Sequence, residues 1–414
     1  MKYTVISLFD GMSCGQIALD NLGVSYDRYF ASEVDKYAIS VTQHNYHNTI
    51  QIGDVSKLVV KKLRSGVILI SEFGDRYFIP SKIILHGGSP CQGFSFAGKQ
   101  KGASTKCKID ITTLEQYLTL KDDGFEFEGQ SYLFWEYVRI LRIVQPDVFL
   151  LENVIMAKKW LNMFNDAIGV QPIKINSALV SAQNRNRFYW TNIVNIEQPK
   201  DEGIVIADIL EDDVDEKYFM SQKMTLRALS NVRSRAFTKD KDKTGTLLAN
   251  QSKVSTDGLY HIANIDVKGH DLIKRVYSTI GKSPTINTCT GGNREVKILD
   301  NIPTLQQWRE VGGTRVSYKK VFNSNIIINA NGKMDANKTG TLVATYYKRN
   351  GVENFGSCPF LFEYPRVRKL TPTECERLQT VPDGYTSIVS NSQRYKMLGN
   401  GWTIKVIEHI YKSL

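Results

Sequence analysis

The sequence has little of what marks membrane, secreted or metal-binding proteins. No stretch of its 414 residues approaches the roughly 18 uninterrupted apolar residues that a membrane span requires. The N-terminal residues lack the layout of a signal peptide, because their apolar run is short and ends in an acid. The six cysteines form no C-x-x-C pair and no zinc-like spacing, and so few cysteines in so long a chain argue against a disulfide framework. We therefore expect a cytoplasmic protein that holds no metal ion.

Positive charge is concentrated in one internal segment. The net charge is +11, yet residues 1–220 carry 23 basic and 27 acidic residues, whereas residues 221–370 carry 25 basic and 11 acidic residues. A surface that binds phosphate groups would produce such a segment, because each phosphate contact requires Lys or Arg. A solvated surface would produce it as well, so both interpretations stay open. Aromatic residues among the charges, as at 346–349, favour nucleic acid as the partner.

The first half of the chain alternates short apolar runs with helical patterns. We predict strands at 3–8, 29–31, 82–86, 147–151 and 187–193, and helices at 16–22, 35–46 and 131–144. Such alternation is typical of an α/β fold with a doubly wound, mainly parallel sheet. Ligands of these sheets bind beyond the carboxyl ends of the strands, so the loops that follow the strands are the places to look for chemistry.

Three of these loops suit a nucleotide-like ligand. Residues 7–15 (SLFDGMSCG) run from a strand through a glycine turn into a helix, where backbone N–H groups can meet an anion and Phe9 can stack on a purine. Glu33 ends the second strand, where an acid can accept hydrogen bonds from ribose hydroxyls, and Asp54 follows the third strand. A helix cap or a surface charge explains each acid equally well when it is taken alone.

Three further loops carry reactive or charged side chains. Cys91 lies in a Gly/Pro-rich loop (GGSPCQGFS, 87–95) directly after a buried strand, where a nucleophile belongs, although a structural thiol is the alternative. Glu152 ends another buried strand, with Asn153 as a helix cap in the simpler interpretation. Arg185 and Arg187 face the same side before a further strand, where a structural salt bridge is the alternative.

Together these groups suit one reaction better than any of them does alone. The C5 carbon of cytosine is a poor nucleophile, but addition of a thiolate to C6 turns C5 into an enamine-like carbon that can attack an electrophilic methyl group. A carboxylic acid at N3 and an arginine at O2 would stabilise the shift of electrons.

In the order of its motifs the chain resembles the cytosine-C5 DNA methyltransferase family. The resemblance covers about residues 1–222 and 362–414 and depends on motifs at 9–15, 32–34, 53–55, 90–92, 133–134, 152–154, 183–187, 366–379 and 398–402. Two positions depart from the family pattern: Asp10 stands where Ala is more frequent, and Gly401 stands where Ser is usual. The resemblance implies a Rossmann-like methyltransferase sheet and S-adenosylmethionine as the cofactor.

The resemblance also implies roles for individual residues. Cys91 would be the nucleophile, Glu152 would act at N3, Arg187 would hold the O2 side of the cytosine, and Arg185 would support the loop or a phosphate. The S-adenosylmethionine site would include Phe9, Asp10, Gly11, Ser13, Cys14, Gly15, Glu33, Val34, Asp54, Val55, Pro90, Leu133, Asn400, Gly401 and Trp402.

The basic segment falls where the family has its target-recognition domain. We expect a discontinuous catalytic domain, residues 1–222 with 362–414, and a smaller β/loop-rich recognition domain, residues 223–361, that binds double-stranded DNA. The target cytosine would have to flip out of the duplex. The predicted DNA-binding residues are Gln92, Ser95, Arg275, Tyr277, Gly291, Gly292 and Arg294. We also expect the polar stretch at 99–130 to be a mobile lid.

Alternative functions remain open from the sequence. One branch of the family modifies tRNA, so an RNA cytosine-C5 methyltransferase is one alternative, although that branch lacks a large basic insert. A catalytically inactive DNA-binding paralogue is another, against which the intact Cys91, Glu152 and Arg187 argue. A dehydrogenase is disfavoured, because no G-x-G-x-x-G follows the first strand. We expect a nucleoid-associated monomer, with a restriction endonuclease, where one exists, acting separately.

Overall fold

The computed structural model describes residues 2–80, 82–94, 102–221, 224–225, 259, 261–265, 267, 270–288, 294–300, 327–328, 334–335 and 366–414. The chain divides into two compact units, residues 1–204 with 375–414 and residues 205–374. The predicted catalytic and target-recognition domains, with boundaries at 222 and 362, stay a prediction. Within the described ranges, no helix is both long and apolar enough to cross a membrane.

The first unit contains most of the regular structure. Its strands are β1 (Tyr3–Leu8), β2 (Tyr26–Ser32), β3 (Ile50–Gln51), β4 (Val59–Leu63), β5 (Gly66–Ile70), β6 (Arg76–Ile79), β7 (Ile83–Gly87), β8 (Ser104–Thr105), β9 (Phe127–Glu128), β10 (Val148–Val154), β11 (Ile173–Asn176), β12 (Gln183–Asn184) and β13 (Asn186–Thr191). Its first five helices are α1 (Cys14–Asn21), α2 (Lys36–Asn45), α3 (Leu114–Asp122), α4 (Leu133–Val144) and α5 (Lys158–Ile168). Short 3-10 helices cover Val55–Lys57 and Ser177–Leu179.

A seven-stranded sheet in the order β11-β13-β10-β7-β1-β2-β3 is the framework of this unit. All strands are parallel except β13, which runs antiparallel to β10 and β11. The central strands β1, β7 and β10 are buried along nearly their whole length, which explains their continuous apolar sequences. The predicted α/β fold with a doubly wound, mainly parallel sheet is therefore confirmed.

The helices bury apolar faces against this sheet. Phe134 of α4 stacks on Phe164 of α5 with ring centroids 3.7 Å apart, and both side chains are fully buried. The last helix of the chain, Ile404–Tyr411, packs against α1. Aromatic burial of this kind contributes a large share of the stability of a core, because each ring removes about 150–250 Å² from water.

Two insertions contain secondary structure that the sequence analysis did not predict. Strands β4, β5 and β6 form a small antiparallel sheet whose inner face buries Val60, Val67, Leu69 and Ile79. The second insertion, residues 102–130, contains β8, α3 and β9, and its apolar residues Ile111, Leu114, Tyr117 and Leu120 belong to the main core.

This burial argues against a mobile lid over residues 102–130, and the lid predicted over 99–130 stays a prediction. A lid of this kind would expose part of the core whenever it opened, and a segment with so much buried apolar surface opens at a high cost in free energy. Residues 99–101 lie outside the described residues.

The second unit is described only in part. Its strands are β14 (His261–Asn264), β15 (Arg275–Ser278), β16 (Ser283–Pro284), β17 (Lys297–Asp300), β18 (Ile327–Ile328), β19 (Met334–Asp335) and β20 (Arg366–Lys369), with helix α6 (Asp271–Lys274) and 3-10 helices Ile206–Ile209 and Glu216–Tyr218. Strands β14, β15, β17 and β20 form one sheet. Arg368 is fully buried there and forms ion pairs with Glu374 and Asp300.

Three helices follow β20 and end the chain: α7 (Pro372–Leu378), α8 (Asn391–Asn400) and α9 (Ile404–Tyr411). Residues 375–414 belong to the first unit, although the whole of the second unit separates them from its sheet strands in the chain. The carboxyl edge of the main sheet is thus completed by the last part of the sequence.

Candidate active site

The loop that carries Cys91 begins at the carboxyl end of β7 and is fixed on both sides. Before it, Asn153 Nδ2 donates hydrogen bonds to Ser89 O and Ser89 Oγ, each 3.1 Å long. After it, Gly93 N donates to Ser131 Oγ at 2.8 Å, and the fully buried Phe94 packs edge-on against aromatic rings of α4 and α5. Backbone bonds on both flanks therefore determine where the thiol lies.

Glycine is required at position 88 because three groups meet there. A Cβ atom on Gly88 would lie 2.9 Å from Trp402 Nε1 and 3.3 Å from Glu152 Oε2. The loop after β7, strand β10 and the C-terminal segment therefore meet at one point at the edge of the sheet.

Glu152 and Arg187 form an ion pair beside this loop. They lie on the neighbouring antiparallel strands β10 and β13, where Glu152 is opposite Tyr189 and Val154 is opposite Arg187, so both side chains share one face. Arg187 Nε lies 2.8 Å from Glu152 Oε1, but Oε1 is buried and accepts no well-directed hydrogen bond from any described residue. A buried carboxylate oxygen whose ion-pair partner is poorly aligned keeps the capacity to accept a hydrogen bond from a ligand.

The surroundings of Cys91 keep its thiol protonated. Burial raises the pKa of Cys91, and the negative charge of Glu152 raises it further, whereas Arg187 and Arg185 act in the opposite direction. The thiolate is the nucleophile in sulfur chemistry. The described state therefore holds Cys91 in its less reactive form.

Arg185 turns away from the ion pair and holds the C-terminal segment. Its guanidinium donates to Gly399 O at 3.3 Å and to Gly401 O at 2.9 Å, and the residue is 3% exposed. Burial, with the positive charge of Arg187, lowers the pKa of Arg185 to about 10, which still leaves it charged at neutral pH. These contacts favour a role in supporting the loop over a role in binding phosphate.

The three loops predicted to hold the cofactor are joined by hydrogen bonds at the same edge. Gly11 N donates to Glu33 Oε2, and Val34 N and Asp35 N donate to Glu33 Oε1, each at 2.8 Å. Ser32 Oγ donates to Gly53 O, next to Asp54, at 2.6 Å. The loops that follow β1, β2 and β3 therefore contact one another at this edge of the sheet.

This edge of the sheet has room for a ligand. An added Cβ on Gly11 would meet no atom within 4 Å, so the face of the loop is open there. Gly11 has a φ of 61°, and the loop leads directly into the N-terminus of α1, whose first N–H groups favour negative charge. A half-buried aromatic ring, Phe9, borders the same loop. These features fit an adenosine-containing methyl donor.

The other predicted cofactor residues range from buried to exposed. Asp54 caps a short helix by accepting from Ser56 N and Ser56 Oγ. Cys14, Gly15 and Val55 are buried; Ser13 is buried with its hydroxyl on Asp10, and Pro90 and Leu133 are half-buried. Val34 and Asn400 are exposed. Gly401 packs against Met12 and Cys14, and Trp402 lies edge-on to His86 with ring centroids 5.7 Å apart.

The predicted DNA-binding residues are divided between the two units, and some lie outside the described residues. Gln92 is exposed beside Cys91, and Arg294 is exposed in the second unit. Arg275 pairs with Asp271 at 2.7 Å, and Tyr277 is buried beside it. Ser95, Gly291 and Gly292 lie outside the described residues. Their role in DNA binding stays a prediction.

Sequence reasoning missed several residues that shape the site. Ser131 holds the Cys91 loop, and Tyr29 with His86 lies beneath the loop of Phe9. A polar His86 at the end of an apolar strand (KIILH) was the available signal for one of them. No group of His, Cys, Asp and Glu suited to a metal ion occurs among the residues that the structure describes.

Proteins of similar sequence are methyltransferases. The family model for C-5 cytosine-specific DNA methylases matches residues 3–115 and 120–414. An orphan methyltransferase of Bacillus phage SPbeta is 28% identical, with 100% of this chain and 97% of the relative covered. A type II methyltransferase of Neisseria lactamica is 23% identical, with 100% and 96% covered.

The fold agrees as well. A solved structure of a Spodoptera frugiperda DNMT2 mutant is 16% identical and has a TM-score of 0.51, with 99% of this chain and 98% of that chain covered. At this identity the likeness concerns the fold alone. The family model, in contrast, spans nearly the entire sequence. The chain therefore belongs to the C-5 cytosine-specific DNA methylase family.

Proposed function

We propose that the protein is a DNA (cytosine-5)-methyltransferase that transfers a methyl group from S-adenosylmethionine to C5 of cytosine in a specific duplex sequence. One observation carries the proposal: Glu152 Oε1 is buried beside Cys91, is ion-paired with Arg187, and accepts no well-directed hydrogen bond from any described residue. Cytosine presents an N4 amino donor next to N3, which matches an acceptor at this position.

The three side chains have complementary tasks in this reaction. The sulfur of Cys91, as thiolate, adds to C6 of cytosine, and the electron pair of the C5–C6 double bond becomes available at C5. A proton held between Glu152 and N3, together with the positive charge of Arg187 near O2, stabilises the charge that the addition pushes onto that side of the ring. C5 would then take the methyl group, and the donor would leave as a neutral thioether that keeps the electron pair of its broken S–CH3 bond. Loss of the C5 proton to water and of the cysteine sulfur as thiolate restores the C5–C6 double bond and frees Cys91.

The loops at the other end of the sheet edge would hold the methyl donor. When bound, S-adenosylmethionine supplies the electrophilic methyl group. Phe9 would pack against its adenine, Glu33 and Asp54 would accept hydrogen bonds from its hydroxyl and amino groups, and the open face at Gly11 gives it room. Because Gly401 and Trp402 contact both this end and the Cys91 loop, the C-terminal segment would join the two binding sites.

Duplex DNA is the proposed substrate. A stacked cytosine cannot reach Cys91, so the base would have to flip out of the helix. The basic segment 221–370 supports a DNA-binding surface, since phosphate contacts require Lys and Arg. We further propose that the enzyme is a monomer that marks phage or bacterial DNA and that any cognate endonuclease acts as a separate protein.

The test is methyl transfer from labelled S-adenosylmethionine to unmodified duplex DNA and, in parallel, to tRNA. We expect label in duplex DNA as 5-methylcytosine, and none with Cys91→Ala. Cys107→Ala is the matched control, because Cys107 is an exposed thiol in the same unit. Label in tRNA alone would replace DNA by RNA as the substrate. DNA binding without label in either polymer would indicate an inactive DNA-binding protein.

A further inference from the structure

A chain of hydrogen bonds runs beneath the proposed methyl-donor loop. Tyr411 of α9 contacts His86 Nδ1 at 3.0 Å, His86 Nε2 contacts Tyr29 OH at 3.0 Å, and Tyr29 OH donates to Asp10 Oδ1 at 2.8 Å. His86 is fully buried, and both tyrosines are about 1% exposed. The chain thus links the last helix, strand β7 and strand β2 to the residue that follows Phe9.

We propose that Asp10 is a positioning residue for the methyl donor, whose ionised carboxylate fixes the loop of Phe9 and Ser13 and whose protonation weakens methyl-donor binding. This inference rests on the proposed function. The carboxylate of Asp10 accepts hydrogen bonds from three hydroxyl groups. Ser7 Oγ and Ser13 Oγ each donate to it at 2.5 Å, and Tyr29 OH is the third donor.

The number of protons that each group carries determines which group donates in each hydrogen bond of this series. Tyr29 has a single hydroxyl proton, which it donates to the ionised Asp10, so its oxygen must accept from His86 Nε2–H. Nδ1 of a neutral His86 then has no proton and accepts from Tyr411 OH. Burial lowers the pKa of His86 to about 3, which agrees with a neutral ring. Every donor is therefore matched to one acceptor only while Asp10 is ionised.

The loop requires such support because its backbone is strained. Phe9 and Ser13 have φ values of 58° and 59°, in the left-handed region that side chains other than glycine rarely adopt. Asp10 lies between them and holds Ser13 directly, while Gly11 N is bonded to Glu33. Without the carboxylate, both residues would relax toward ordinary conformations, and Phe9 would move from the place where adenine is expected.

Several charged and titratable groups face Asp10, and they favour its protonation in acid. Burial raises the pKa of Asp10 to about 6, and the negative charge of Glu33 adds to this, whereas the hydroxyls of Ser13, Ser7 and Tyr29 lower it. Cys14 and Tyr385 also lie within electrostatic range, and both stay neutral. Below about pH 6 the carboxyl group of Asp10 carries a proton that must itself be donated to an acceptor. At least one of the three hydroxyls can then no longer donate to Asp10.

The test measures binding of S-adenosylhomocysteine by calorimetry. Only the protein with an ionised Asp10 is expected to bind S-adenosylhomocysteine well. The wild type should therefore bind this ligand up to about tenfold more weakly near pH 5 than near pH 8. Asp10→Asn keeps the shape and should bind more weakly at neutral pH but without this acid loss. Tyr29→Phe removes one stabilising donor, so its acid loss should begin at a higher pH.

Tyr26→Phe is the matched control. Tyr26 lies on the same strand as Tyr29, but its hydroxyl donates to Asp20, away from the loop. Its variant should keep the wild-type pH profile. A wild-type affinity that does not change with pH, or an equal acid loss in Asp10→Asn, would overturn the inference. Absence of binding at every pH would instead contradict the proposed cofactor.

A second measurement needs no ligand. The measurement is ¹⁵N NMR of labelled histidine, with the His86 signals assigned from the His86→Gln variant. The spectrum should show a proton on Nε2 of His86, none on Nδ1, and a neutral ring down to about pH 5. A ring protonated at Nδ1 would contradict the direction of the chain. In Tyr29→Phe the Nε2–H loses its acceptor, so its signal should shift, whereas Tyr26→Phe should leave it in place.

Discussion

The carboxylates at the two ends of the sheet edge are used in opposite ways. At the catalytic end, Glu152 has a buried oxygen that receives no hydrogen bond from any residue in the described part of the chain. At the methyl-donor end, Asp10 accepts from three hydroxyls and Glu33 accepts from three backbone N–H groups. One end has an oxygen with an ion-pair partner but no well-directed hydrogen bond, and the other has at least one protein donor on each carboxylate oxygen.

This difference separates a carboxylate that acts on the substrate from carboxylates that also shape a loop. A buried acceptor without a well-directed hydrogen bond costs up to about 1–3 kcal/mol, which a base can recover when it binds. A saturated carboxylate instead stabilises one backbone conformation before any ligand arrives, which lowers the entropy lost on binding. The two ends should therefore respond differently to substitution.

The largest effect is expected at the catalytic end, from Glu152→Gln. Methyl transfer should fall by about 10²–10⁴-fold, because the amide cannot supply a proton at N3. Alkylation of Cys91 in the free protein should become faster, since the charge of Glu152 raises the thiol pKa. Arg187→Met should have the opposite effect on alkylation, because Arg187 lowers that pKa.

These rates are best measured with iodoacetamide near pH 8, by mass spectrometry of the peptide that contains Cys91. The exposed Cys107 in the same samples provides the internal control, and its rate should not change. Slower alkylation in Glu152→Gln would show that the ion pair activates the thiol, and the contrast between the two ends would then fail.

The framework of the fold was predictable because it depends on local patterns. Strands β1, β7 and β10 are continuous apolar runs, and α4 has a clear helical period, so their places were correct to within a few residues. The small sheet β4–β6 was not predicted. Strands β4 and β6 have exposed charged residues, β5 has none, and the three short strands give no sign of which surface of the protein they cover.

The site was predictable only as a set of residue types. Cys91, Glu152 and Arg187 could be placed at one sheet edge from their positions after strands. That Arg185 holds the carbonyls of Gly399 and Gly401, or that His86 meets Tyr411, could not be predicted, because these partners lie more than two hundred residues apart in sequence. Long-range contacts of this kind leave no periodic signal in the chain.

Arg185 provides the next test. It belongs to the catalytic motif, yet its guanidinium is hydrogen-bonded to protein carbonyls, as the carboxylates of the donor end are hydrogen-bonded to protein donors. Arg185→Met leaves Gly399 O without its donor, while Gly401 O keeps Gln379. We expect a loss of about 1–3 kcal/mol in the free energy of unfolding and weaker S-adenosylhomocysteine binding. Arg185→Lys should recover part of both. A normal affinity with lost DNA binding would assign Arg185 to phosphate instead.

The smallest effect is expected where α3 supports the donor end. Lys121 Nζ donates to Ser56 O at 2.8 Å, beside Asp54, and to the buried Glu136 at 2.6 Å. Lys121→Met should destabilise the protein by about 1 kcal/mol and weaken S-adenosylhomocysteine binding a few-fold, because the Asp54 loop loses a donor. Lys106→Met is the matched control on the same insertion, since Lys106 pairs with Glu126 at the exposed surface and such pairs contribute about 0–1 kcal/mol. Equal binding by the two variants would show that the insertion stabilises the fold without shaping the donor site, and the saturation of that end would then depend on the loops of Asp10 and Glu33 alone.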